Sequence, residues 1–123
     1  MMQSVPFACD MSAFSPEERS EHIASIHAVF GRVRTFRELT DGFEFAFERA
    51  PQDVAELAEF VANEQRCCPF FTFTVRLEPA PGPLVLQLTG PAGVKPFILA
   101  ELGAALRTSL PGLTFVAADV GPA

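Results

Sequence analysis

Two hydrophobic periods take turns along the chain. After Ser15, apolar residues fall at helical spacing: Ile23, Ile26, Val29 and Phe30. The helix they predict has a defined start, because Ser15 caps, Pro16 takes the first helical position and Glu18 completes a capping box. Gly31 marks its end. From Arg32 to Leu39 the pattern is mixed: Val33, Phe36 and Leu39 would suit a longer helix, but the Asp41-Gly42 turn that follows favours a strand. Phe43, Phe45 and Phe47 then alternate with Glu44, Ala46 and Glu48, the period of a half-buried antiparallel strand. Pro51 opens a second helix with Val54, Leu57, Ala58 and Val61 as its inward stripe. Asp53, Glu56, Glu59, Asn63 and Arg66 make its wet face.

The period changes again within Glu64-Gln65-Arg66-Cys67-Cys68-Pro69-Phe70-Phe71-Thr72-Phe73. Proline lacks an amide hydrogen and pushes the residue before it out of helical geometry. The second helix should therefore end at or near Cys67, and the chain should leave as a strand. Phe71, Phe73, Val75 and Leu77 give that strand, Pro79 to Pro83 a stiff turn, and Leu84, Leu86 and Leu88 a fourth strand. Gly90-Pro91 opens a third helix with Val94, Phe97, Ile98, Leu102, Ala105 and Leu106 inward, broken by Pro111-Gly112. Leu113 to Val116 would make a short last strand or a packed tail.

An internal echo orders these elements. Gly42…Ala50-Pro51-x-x-Val54 returns as Gly82…Gly90-Pro91-x-x-Val94, although the two strand patterns sit one residue out of phase. Each copy is a hairpin followed by a helix. The expected fold is α+β: a four-stranded antiparallel sheet from two ββα units, helices packed on one face, plus an N-terminal helix. The chain reads as a single domain, residues 1–123: an arm (1–14), helix 1 (15–31), the two ββα units (32–68 and 70–109) and a tail (110–123).

Composition narrows the classes. Hydrophobic residues make up 49% and charged residues 20%, a globular balance. Thirteen Phe with no Trp or Tyr allow a core without polar atoms to satisfy. A formal charge of −6 with scattered basic residues disfavours nucleic acid. No apolar run reaches membrane-spanning length, and Met1 to Pro6 lacks a signal-peptide layout, so the expected setting is cytoplasmic.

Chemistry is suggested only by the cysteines. Three is an odd number, which in a cytosolic chain argues against a disulfide framework. Soft thiolates suit Zn, Cu(I) and heavier thiophilic ions. Adjacent cysteines alone chelate one tetrahedral ion poorly, because consecutive side chains diverge. If the arm brings Cys9 to Cys67 and Cys68, with His22 or Glu64 in reach, three or four ligands become available. His22 and His27 are five apart and share no helix face, so both are expected at least half exposed. A helix C-terminus and Glu64 both oppose thiolate formation at Cys67, which speaks against a lone reactive thiol. A Cys67–Cys68 vicinal disulfide would be strained. The competing expectation is that the cysteines are buried and inert.

Ala8-Cys9-Asp10-Met11-Ser12-Ala13, Ser15-Pro16-Glu17-Glu18-Arg19, His22, Phe60-Val61, the Glu64–Phe73 stretch and Leu88-Thr89-Gly90-Pro91…Val94-Lys95 resemble a small uncharacterised bacterial family. Its motif set is Ala-Cys-Asp…Glu-Glu-Arg…Cys-Cys-Pro-Phe, and it is loosely linked to heavy-metal resistance settings. The resemblance implies that Cys9, Cys67 and Cys68 fall in motif segments, which favours a shared site, and carries no activity over. The first functional expectation is a cytosolic soft-metal or thiol-ligand binding module using Cys9, Cys67 and Cys68. The second is a small α+β interaction or dimerisation module with inert cysteines, which would use exposed sheet surface or an edge strand, a homodimer being one form it could take. The third is a thiol-dependent enzyme on a small apolar compound. No nucleophile elbow, phosphate loop or usefully spaced histidine–carboxylate pair is present, so the enzyme reading stands last.

Overall fold

Ser15 and Glu18 cap each other across the first turn of α1 (Pro16–Phe30): the Glu18 amide donates to Ser15 Oγ at 3.1 Å, and the Ser15 amide donates to Glu18 Oε1 at 2.9 Å. The structure is a computed structural model that describes residues 10–109, the side chains of 107–109 excepted. Cys9 and the expected Leu113–Val116 element lie outside the described residues. After α1 come β1 (Thr35–Leu39), β2 (Gly42–Phe47), α2 (Pro51–Cys67), β3 (Thr72–Leu77), β4 (Leu84–Thr89) and α3 (Val94–Ser109). A 3-10 turn, Met11–Ala13, precedes α1. The fold is α+β, with ββα occurring twice after α1.

The sheet is antiparallel throughout, in the order β1-β2-β4-β3. Each hairpin contributes its second strand to the centre. There Phe43, Phe45 and Phe47 lie opposite Leu88, Leu86 and Leu84, and all six are buried. Phe30 of α1 meets Phe45 and Phe60 edge-on, with centroids 5.0 and 5.1 Å away. This is the aromatic core anticipated from alternation. Gly42 opens β2 for lack of space, since a Cβ there would stand 1.8 Å from the Leu88 carbonyl oxygen.

Three details depart from expectation. The buried stripe of α1 is His22, Ile26, Val29 and Phe30, whereas Ile23 is 49% exposed. The stripe of α2 is Leu57, Phe60, Glu64 and Cys67, while Ala58 is exposed. Phe60 sets that direction by packing on Phe30, and the 3-4-3 spacing then carries Glu64 inward. Third, Pro91 does not open α3. It lies in a turn in which Gly93 has φ 94°, and the helix begins at Val94. The echo between Pro51 and Pro91 is therefore one of sequence and not of helix start.

Edge strand β3 differs from the centre. Val75 and Leu77 alternate as inner-face residues, yet they are 49% and 48% exposed. No described helix is long and apolar enough to cross a membrane.

Candidate metal centre

Three helices bring polar side chains to one place in the interior. His22 comes from the second turn of α1, Glu64 and Cys67 from the last turn of α2, and Glu101 from the middle of α3. Glu64 and Cys67 are three apart and share a helix face. The junction ends where proline chemistry places it: α2 stops at Cys67, and Cys68 is the cap residue with φ −128°. The start of the described chain is fastened here. The Asp10 amide donates to the Cys67 carbonyl at 2.9 Å, and Arg66 donates to the Ala13 carbonyl at 2.8 Å.

His22 Nε2 and Glu64 Oε1 are hydrogen-bonded at 2.7 Å, with side chains only 2% and 0% exposed. The Cys67 thiol donates to the Glu64 carbonyl at 3.5 Å and stands 3.9 Å from Glu64 Oε1. The imidazole packs against two rings, Phe14 at 5.1 Å and Phe60 at 5.9 Å. Two buried atoms, His22 Nδ1 and Glu64 Oε2, have no hydrogen-bond partner among the described residues. An unpaired buried polar atom costs about 1–3 kcal/mol, so such a pair calls for an explanation.

The electrostatics are those of a site short of positive charge. Burial pushes the Cys67 thiol up to about 12, and the negative charges of Glu64 and Glu101 push the same way. Burial also raises Glu101 to about 8, helped by the negative charge of Glu64 beside it. A cation placed among these groups would reverse both effects, because a coordinated thiol is held as thiolate.

Donor atoms of His22, Glu64 and Cys67 lie within 4.8 Å of one another, and so do those of Glu64, Cys68 and Glu101. Nitrogen, oxygen and sulfur together suit zinc, whose ligand bonds run from about 2.0 to 2.3 Å. Tetrahedral geometry with such bonds separates neighbouring donors by roughly 3.3 Å or more. The 2.7 Å contact between His22 and Glu64 would then open by roughly half an ångström, within side-chain reach.

The residues singled out from sequence fare differently. His22, Glu64 and Cys67 converge. The expectation of exposed histidines fails for His22, because its ring takes the stripe position assigned to Ile23, while His27 is exposed. The sulfurs of Cys67 and Cys68 are 3.7 Å apart and not bonded to each other. Cys67 is a free thiol, whereas Cys68 is disulfide-bonded, although the odd number of cysteines argued against a disulfide framework. Cys9 lies outside the described residues. Glu101 was missed. Its signal was an acid beside Ile98, Leu102 and Ala105 on the apolar stripe of α3.

No protein-family model, curated protein or solved structure matches the chain.

Proposed function

We propose that the chain is a metal-binding module that holds one zinc-like divalent cation at His22, Glu64 and Cys67. One observation carries the reading. Three unlike ligand groups from two helices converge within 4.8 Å in the interior, and two of their atoms lack hydrogen-bond partners among the described residues. The donor set moves the preference away from Cu(I) and other ions that favour all-thiolate sites, toward a borderline-soft ion. Burial favours retention of the ion over turnover. The role is structural or storage-like, in a cytoplasmic setting and in a bacterial family of the kind the motif set resembles.

Two surface clefts add no support for an enzyme. One is lined by residues including Arg34, Phe47, Arg49 and Pro83, the other by Asp41, Pro91 and Lys95, and neither includes a cysteine, His22 or Glu64. A thiol held near 12 is also a poor nucleophile at neutral pH.

A second reading, an interaction module with inert cysteines, is favoured by the exposed apolar residues Val75 and Leu77 on edge strand β3. Zinc stoichiometry separates the two. The metal reading expects one equivalent per oxidised chain, a raised Tm on binding, and loss of both in Cys67→Ser and His22→Ala. With Co(II) in place of zinc it also expects a sulfur-to-metal charge-transfer band that disappears in Cys67→Ser. Absence of binding by the wild-type chain, with the thiol labelled only after denaturation, would leave the interaction module.

A further inference from the structure

We propose that Glu64, Cys68 and Glu101 form a second cation position, opened by reduction of the Cys68 disulfide, with Glu64 shared between the two positions. The inference rests on the metal reading above and adds a second ion and a redox condition to it.

Geometry comes first. The donors of Glu64, Cys68 and Glu101 lie within 4.8 Å of one another, as do those of His22, Glu64 and Cys67, but the five residues do not form a single set of that size. One ion therefore cannot gather all five donors where they stand. Glu64 is common to both sets and is fully buried. Its Oε1 faces His22 and Cys67, while its Oε2 has no hydrogen-bond partner. A carboxylate with one engaged and one open oxygen, between two ligand sets, is suited to bridge two cations about 3.5–4 Å apart.

Chemistry supplies the condition. Cys68 is disulfide-bonded, so its sulfur is not a thiolate donor in this state. Cys67 beside it is a free thiol and serves the first position in either state. A phosphine reductant breaks the sulfur–sulfur bond and becomes phosphine oxide. Water supplies the oxygen and the two protons that leave both sulfurs as thiols. Zinc then displaces the Cys68 proton to solvent and meets one thiolate and two carboxylates, a donor set within its range.

The test is zinc stoichiometry by equilibrium dialysis with metal analysis, anaerobically, on the full chain with and without the phosphine. The expected result is one zinc per oxidised chain and two per reduced chain. Reduced Cys68→Ala and reduced Glu101→Gln should each return to one. Glu101→Gln keeps shape and hydrogen bonding, so the test survives if the cysteine variant folds poorly. One zinc in both redox states overturns the second position and leaves the first intact. Two zincs in either reduced variant overturn the ligand assignment. No zinc in either state overturns the metal reading itself, and this inference with it.

Discussion

The aromatic centre of the sheet and the cluster at the end of α2 are equally buried but built in opposite ways. Around Phe30, rings from α1, α2 and β2 meet edge-on. Around Glu64, the same two helices press together a carboxylate, an imidazole and a thiol. The first arrangement lowers the free energy of the fold through area removed from water, about 1.5–3 kcal/mol for a ring like Phe30. The second costs desolvation that hydrogen bonds only partly offset. Stability alone would favour Leu or Phe at 64, and the metal reading proposed above accounts for the polar groups instead.

The contrast can be broken at its strongest point first. Phe30→Ala should cost ~3–5 kcal/mol in urea unfolding, since it opens a cavity among three rings that cannot collapse together. A loss below about 1 kcal/mol would mean that the aromatic centre is not the chief source of stability.

Proton linkage gives the next effect. Glu101 is raised in the folded state from 4.5 to about 8. The folded protein therefore binds this proton more tightly than the unfolded chain does. The resulting stability is complete below about pH 4.5 and is lost as pH rises through 8. At about 1.4 kcal/mol per unit the loss is on the order of a few kcal/mol. Thermal melts of chelator-treated protein should show Tm falling across that window, and Glu101→Gln should flatten the slope. An unchanged slope in the variant would remove Glu101 from the cluster's charge balance.

The smallest change sharpens the comparison most. Glu64→Gln should cost ~1–3 kcal/mol in the metal-free protein, because it disturbs partners that stay buried. The double change His22→Phe/Glu64→Leu should be near neutral or stabilising, since it converts the cluster into the kind of core found around Phe30. Unfolding midpoints of the two variants check this. A double variant much weaker than the single one would show that the polar cluster contributes to the fold in its own right.

The architecture was legible because each local signal agreed with the tertiary result. The Ser15–Glu18 box, the alternation of Phe43, Phe45 and Phe47, and the stop at Cys67 before Pro69 each act over a few residues. The cluster was only half legible. Glu64 and His22 occupy apolar-stripe positions, and a helical wheel is ambiguous by one residue. Ile23 and Ala58, both apolar, drew the stripe to the wrong side. Glu101 needed the third helix docked before its place meant anything. The disulfide state of Cys68 is not something its spacing from Cys67 encodes.

The ring of His22 lies against Phe14 and Phe60, nearly parallel to the latter at 13°. Ring currents from these two neighbours should set its carbon-bound protons apart from those of His27, the only other imidazole in the chain. A proton–nitrogen spectrum of this protein thus contains two histidine signals, one ordinary and one displaced. The displaced signal is a label already installed at the cluster, able to register an arriving ion without any substitution.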